Sequence, residues 1–278
     1  MDPLILEPGT WRKLLPLAWG AWAFFKRDLL IDISYKFSFV LQAANILIGI
    51  GAFYFLAHLI GKAAFGDYGP FPFILVGMAV NGYMATALAC FGQAIRGNQP
   101  GGTLKAVLAT PTSPTAFVLF SSLYPFFRAA VDSGLYLAAG VLFGLSLARI
   151  NFPAVLLLFL LSLLAFGGIG ILSASFTLVF KRGDPLLWLF GGLSWLLGGV
   201  FYPLDVLPRF LRQAAQLLPI THALQGMRAA LLSGASVGQL LPQIGVLALF
   251  AVLALPLSLL GFHWAVRWAR VNGTLSHF

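Results

Sequence analysis

Six long stretches of this chain offer water almost nothing to hydrogen-bond, and they limit its possible folds more than any motif does. They lie near Phe37–Ile60, Phe71–Ala94, Ala116–Leu147, Phe152–Phe180, Pro185–Phe201 and Leu240–Val266. A helix crossing the hydrocarbon core of a bilayer needs roughly 20 apolar residues. Each stretch is apolar around its whole circumference, as a helix embedded in lipid requires. Ten-residue segments of alternating polarity, the mark of a membrane β-barrel, do not occur in the sequence. The pattern predicts an all-α polytopic membrane protein with six transmembrane helices, the fifth being short and rich in glycine. Composition closes the alternatives: 60% of the 278 residues are hydrophobic and 9% charged, against about 25% charged in a soluble domain. Too few polar side chains remain to cover a water-facing surface. A soluble enzyme, a disordered chain and a coiled coil are excluded.

The formal charge of +9 would point to nucleic acid in a soluble protein. Here the basic residues gather at segment ends, where they set topology and meet anionic lipid headgroups, so no nucleic-acid partner is expected. With both termini inside, the cytoplasmic side holds eleven of them (Arg12, Lys13, Lys26, Arg27, Lys36, Arg96, Lys105, Lys181, Arg182, Arg267, Arg270) and the opposite side five (Lys62, Arg149, Arg209, Arg212, Arg228). Cytoplasmic loops carry the Lys and Arg excess, which predicts both termini in the cytoplasm of a multi-pass protein of the inner cell membrane. The first ten residues carry Asp2 and Glu7 and no basic run, so a cleaved signal peptide is not expected. Cys90, the lone cysteine, forms no intrachain disulfide.

Two segments differ from the spans. Trp11, Leu15, Ala18, Trp22, Phe25 and Leu29 repeat at steps of four and three beside Arg12, Lys13, Lys26 and Arg27. That predicts a helix lying in the headgroup plane, or packed on its own protein, or both. Residues 1–32 are accordingly read as an N-terminal segment and 33–278 as the transmembrane domain. Between the fifth and sixth spans, about 202–239, a helical period runs through Leu207, Phe210, Leu211, Ala214, Leu217 and Leu218. Pro219 breaks it, and a second short helix is expected from Thr221 to Leu232. The pair is too short to span and too apolar to float free, so a re-entrant helical hairpin is expected, its irregular backbone buried against protein.

No catalytic constellation emerges. Gly234-Ala235-Ser236-Val237-Gly238 matches the nucleophile-elbow pattern, but an acid must follow the serine and no Asp or Glu occurs after Asp205. Gly61-Lys62, the one Gly-Lys pair, precedes Ala63 rather than Ser or Thr, so no phosphate-cradling loop is present. His58, His222, His263 and His277 stand apart from one another and from Cys90, which leaves no metal-ligand spacing. Arg128 and Asp132 are the sharpest polar feature inside a span. Each costs about 2.5–3.5 kcal/mol at a helix centre, and four residues apart they neutralise each other on one face. Two readings stay open: a polar patch on a transport path or subunit seam, or an internal pair holding neighbouring helices. Asp132→Ala is expected to impair transport or assembly by leaving Arg128 unpaired. Gly140 and Gly144 form a small-xxx-small seam, and Gly191/Gly198 and Gly192/Gly199 recur two turns apart; such faces let helices approach closely.

The segment at about 97–112, from Gly97-Asn98-Gln99-Pro100-Gly101-Gly102 through Thr110-Pro111, reads as loop, short helix and proline stop. Leu104, Val107 and Leu108 suit a partner's groove, though a plain connecting turn also explains the pattern. Gly102-Thr103-Leu104-Lys105 through Thr110-Pro111 resembles the coupling helix of the permease subunits of type-2 ABC exporters, with Lys105 standing where that family often has an acid. Gly198-Gly199-Val200-Phe201-Tyr202-Pro203-Leu204-Asp205-Val206-Leu207-Pro208, continuing to Leu218-Pro219-Ile220-Thr221-His222-Ala223-Leu224 and Met227-Arg228, is similar to that family's block at the end of the fifth span. The in-plane helix, six spans and basic C-terminus match as well.

The resemblance implies a permease subunit of an ATP-driven exporter, paired with a second copy of the permease as a homodimer, and with a separate cytosolic P-loop ATPase that binds ATP and Mg. No cofactor is expected on this chain. Coupling to the ATPase would fall to Gly102, Thr103, Leu104, Lys105, Val107 and Leu108. The pathway or outer gate would lie near Phe201, Tyr202, Pro203, Thr221, His222 and Leu224. The implied cargo is an amphipathic, lipidic, drug-like or polysaccharide molecule. The competing class is an autonomous secondary transporter or channel, which normally buries more ionisable residues or breaks its helices near the midplane.

Overall fold

A computed structural model describes residues 8–60, 65, 68–98, 113–180 and 184–271. The described residues form α1 (Pro8–Ser34), α2 (Lys36–Leu59), α3 (Pro70–Asn98), α4 (Pro114–Leu142), α5 (Phe152–Phe180), α6 (Pro185–Leu197), α7 (Arg209–Gln216), α8 (Pro219–Arg228) and α9 (Leu241–Val271), with no strand among them. Local chemistry explains several boundaries. Ser113 accepts from the Ala116 N–H at 3.1 Å, Asp184 accepts from Leu187 N–H at 2.9 Å, and a proline follows each cap. Proline suits the first helical position because its missing N–H has no intrahelical acceptor there. The same rule applies at Pro219, which opens α8 instead of merely ending the helix before it. The expected second helix, Thr221 to Leu232, is an α-helix only to Arg228; a wider π turn, Ala229–Ser233, completes it. It closes on Gly234, at φ 70°, where a Cβ would stand 2.2 Å from the Arg149 carbonyl oxygen. The nucleophile-elbow pattern is thus a helix end and a loop.

Among the described residues four helices are long and apolar enough to cross a membrane: Val40–Leu59, Pro70–Gly97, Phe152–Phe180 and Leu241–Ala269. α4 is as long as α3, at 29 residues, but carries Arg128 and Asp132. It stops at Leu142, short of the expected Leu147, because Gly144 turns the chain at φ 92°. α6 has 13 residues, or about 20 Å of helix, less than the hydrocarbon thickness. It ends at Gly198 and Gly199, the latter at φ 74°, so the expected fifth span to Phe201 is a short helix followed by a glycine turn.

The core lies where α3, α5 and α8 meet. Val80 and Met84 of α3, Leu158 and Phe166 of α5, and Ile220 and Leu224 of α8 are at most 2% exposed. In lipid such packing rests on close contact more than on release of water. Glycine makes the contact possible on α5: a Cβ on Gly168 would lie 2.8 Å from the Ala254 Cβ of α9, and one on Gly170 2.4 Å from the Ala87 carbonyl of α3. The glycine seams expected from spacing fare differently. Gly140 packs tightly on Leu75, whereas Gly144 lies past the helix end, and Gly191 and Gly192 meet nothing within 4 Å.

α1 packs on α4 through Phe24 against Phe117 and Phe120 and Phe25 against Tyr124 and Phe127. Its protein-facing residues include Gly20, Phe24 and Asp32, shifted from the expected stripe, in which Ala18 and Trp22 are exposed. α1 leaves Trp19, Leu30, Ile31 and Ile33 uncovered, and α2 leaves Phe37, Ile48, Phe55 and Leu59 uncovered.

Candidate functional site

The glycine turn after α6 frees backbone carbonyls, and Arg228 collects them. Its Nη2 donates to the Gly199 and Val200 carbonyls, both at 2.9 Å, and its Nε to the Phe73 carbonyl at 3.2 Å. Its guanidinium carbon sits 3.4 Å from the centroid of the Phe73 ring, a cation–π contact. Arg228 is 5% exposed, and no carboxylate among the described residues pairs with it. Burial depresses its pKa to about 9, which still leaves it charged at neutral pH. One side chain thereby ties α8 to the start of α3 and to the end of α6. Gly77 makes room for this: a Cβ there would stand 2.2 Å from the Val200 carbonyl oxygen and 2.8 Å from Arg228 Nη2.

Beside Arg228 opens a cavity of about 300 Å³ whose wall includes Tyr202, Pro203 and Thr221 of the six residues expected at a pathway or gate. Tyr202 donates its hydroxyl proton to the Leu196 carbonyl, and Thr221, fully buried, donates to the Ala215 carbonyl at 2.6 Å. The other three lie elsewhere. Phe201 stacks on Phe53 and meets Trp195 edge-on. The His222 Nε2 is 2.8 Å from the Gln216 carbonyl, and Leu224 is fully buried in the core. Sequence reading did not single out Arg228 as a site residue. Its signal was there: a cation between Met227 and Ala229-Ala230-Leu231-Leu232 is out of place unless something buried holds it.

Arg128 and Asp132 meet as their spacing requires, Nε to Oδ1 at 3.2 Å. The structure adds partners from two other helices. Asp32 of α1 contacts Arg128 Nη1 and accepts from the Tyr124 hydroxyl. Gln42 of α2 accepts from Arg128 Nη2 and donates to Asp132 Oδ2 at 2.7 Å. These groups therefore join α1, α2 and α4. They border an apolar groove of about 470 Å³ lined by Leu29, Ile33, Val40 and Val131 among others.

A third polar junction centres on Asp184, whose side chain is 6% exposed. Besides capping α6 it accepts from the Ser173 hydroxyl of α5 and lies 3.6 Å from Arg96 Nη1 near the end of α3. Arg96 also donates to Thr177 at 3.2 Å. The expected coupling residues Gly102, Thr103, Leu104, Lys105, Val107 and Leu108 lie outside the described residues. Among the described residues no three His, Cys, Asp or Glu side chains gather in a way that could hold a metal.

This chain matches, over residues 13–232, the sequence profile of a family described as ABC-2 type transporter. It is also 30% identical over 119 residues to the linearmycin resistance permease protein LnrN of Bacillus subtilis (strain 168). That similarity covers 43% of this chain and 30% of the relative's own length. The profile takes in five of the long helices' sequences in whole or part, the glycine turn and α8 with Arg228. This multi-pass membrane protein belongs to the ABC-2 type transporter family, as a permease.

Proposed function

We propose that this chain is the membrane-spanning subunit of an ATP-driven exporter, with six spans, both termini in the cytoplasm, and a separate P-loop ATPase that binds ATP and Mg. The observation that carries the proposal is the family match over residues 13–232, which runs through both the 97–112 segment and the α7–α8 connection. In this reading Gly102, Thr103, Leu104, Lys105, Val107 and Leu108 form the coupling element. The α7–α8 pair is the re-entrant hairpin, and the cargo route passes the region of Phe201, Tyr202, Pro203, Thr221, His222 and Leu224. A second copy of the permease supplies the other wall, and lipid covers the remaining apolar faces.

The division of labour follows from the residues present. No phosphate-cradling loop occurs in the sequence, so nucleotide chemistry needs another chain. Arg96 ties the end of α3 to Asp184 at the start of α6, which gives a push on the 97–112 segment a direct route to α6. The word resistance in the Bacillus relative's name supports a drug-like cargo within the amphipathic range.

Co-purification tests the proposal. The full chain should retain a P-loop ATPase, and the triple variant Leu104→Asp/Val107→Asp/Leu108→Asp should lose it while still folding. Transport by the chain alone, driven by an ion gradient without ATP, would refute the reading.

A further inference from the structure

We infer that the cavity beside Arg228 is a binding site for an anionic group, a phosphate or carboxylate on the headgroup of an amphiphile. This names the chemistry of the site and rests on the permease reading only for its link to transport. The inference comes from counting donors and charges in the cavity wall. Arg228, 5% exposed, uses Nε and Nη2 on carbonyls, while its Nη1 has no acceptor among the described residues. Arg212 borders the same cavity. Its Nη1 lies 3.3 Å from the Asp205 carboxylate and its Nη2 donates to the Asp205 carbonyl at 2.7 Å, but its Nε is buried with no partner. Tyr68 accepts from Ser233 at 3.1 Å, which leaves its own hydroxyl proton to donate. Gln225 completes the wall with an amide.

Donors therefore outnumber acceptors. Among the described residues the one acid in the wall is Asp205, whose side chain is 88% exposed, so it sits at the rim and offsets Arg212 only. Among the described residues, two arginines against one carboxylate leave the wall one positive charge in excess. An uncompensated buried cation is costly, and an anion accepting several charged N–H bonds offsets that cost. The volume, about 300 Å³, suits a headgroup and not a whole amphiphile, whose chains would stay in the surrounding lipid. Thr221 and Tyr202 have already committed their protons to carbonyls; they shape the cavity without adding to its donors. The surplus belongs to Arg228 and Arg212, which come from different helices and reach the same space.

Binding to the purified full chain in neutral detergent tests this without ATPase or nucleotide. A negative result therefore leaves the exporter reading standing, and loss of the ATPase leaves this one standing. Trp195 directly precedes Leu196, whose carbonyl accepts from Tyr202 of the cavity wall, and supplies a fluorescence signal near the cavity. The probes are dioctanoyl phosphatidate, dioctanoylglycerol with the same chains and no phosphate, and inorganic phosphate. Phosphatidate should bind at least about tenfold more tightly than dioctanoylglycerol and weaken as salt rises. Inorganic phosphate binding as well as phosphatidate would assign the site to the free anion; weaker phosphate binding would assign it to a lipid-borne one. Either result keeps the anion chemistry. Arg228 holds the fold together, so the variants act on the rim. Arg212→Gln should weaken phosphatidate by about three- to tenfold, and Asp205→Asn, which removes the competing acid, should tighten it by a similar factor. A merely structural rim would not move in opposite directions. Equal binding of the two lipids, or rim variants without effect, would overturn the inference.

Discussion

Removing Arg128 should damage this protein far more than removing Asp132, and the difference follows from the partners around the pair. From sequence alone, Asp132→Ala leaves Arg128 unpaired, and breaking a buried ion pair that way costs about 3–5 kcal/mol. The structure gives Arg128 a second carboxylate, Asp32, and an amide, Gln42, that bonds both Arg128 and Asp132. Asp132→Asn therefore keeps Arg128 paired with Asp32 and weakens the two bonds the carboxylate accepts, from Arg128 Nε and Gln42 Nε2, a loss of about 1.5–3 kcal/mol in all. Side-chain exposures of 17–32% across the three ions place the loss at the lower end. Arg128→Met instead leaves two carboxylates without their shared cation, which brings the full cost of about 3–5 kcal/mol into play.

Thermal unfolding of the purified chain, followed by tryptophan fluorescence, reads the contrast. At about 2 °C per kcal/mol for a chain of this size, Asp132→Asn should lower Tm by about 3–4 °C and Arg128→Met by about 6–10 °C. The double variant Asp32→Asn/Asp132→Asn strips Arg128 of both carboxylates, so it should cost more than the two single changes added together. A Tm loss for Asp132→Asn equal to that for Arg128→Met, or strict additivity in the double variant, would refute the shared-cation account.

Other expectations come from single contacts. Gly77→Ala drives a methyl to 2.2 Å from the Val200 carbonyl and should cost about 1–3 kcal/mol, whereas Gly191→Ala, with nothing within 4 Å, should leave the Tm of the isolated chain unchanged. Asp184→Ala removes a helix cap together with the buried partner of Ser173 and Arg96 and should cost about 1–3 kcal/mol, while Asp184→Asn, still a good cap, should cost less; comparison of the two Tm values checks this. Cys90 is 4% exposed, so a maleimide should label it in denatured protein and not in folded protein, read by mass.

Helix positions were legible because apolar runs and proline starts are local signals. Ser113-Pro114 and Asp184-Pro185 mark helix beginnings without any knowledge of what packs there. The length of α6 was harder to read, since Val200 and Phe201 are as apolar as a span requires; the break comes from Gly198 and Gly199, whose effect depends on a carbonyl acceptor elsewhere in the chain. The glycine seams held only in part, at Gly140 against Leu75 and Gly198 against Ile220, for a related reason. Gly191/Gly198 repeats at helical spacing and packs on nothing at Gly191, whereas Gly168 and Gly170 touch Ala254 and Ala87, contacts between residues about 85 positions apart that no period reveals. The Arg128–Asp132 pair was visible from spacing on one helix. Asp32 and Gln42 were not, because the contact needs α1 and α2 folded back onto α4.

The three polar junctions share a physical logic. Each stands beside a place where helical hydrogen bonding is interrupted. Asp32 lies at the Tyr35 break between α1 and α2, Asp184 at the opening of α6, and Arg228 at the glycine turn that closes it. A helix end leaves backbone donors or acceptors without intrahelical partners, and apolar surroundings make each one expensive. Asp184 answers a free N–H with a carboxylate, and Arg228 answers two free carbonyls with a guanidinium. The scarce charged residues thus permit the chain to interrupt its helices without exposing backbone to lipid. Because each also binds a second helix, the interruption and the packing around it stand or fall together. For Arg228 the arrangement leaves positive charge unspent beside a cavity, and so a device that closes a helix end also provides the strongest reason for an anion to enter there.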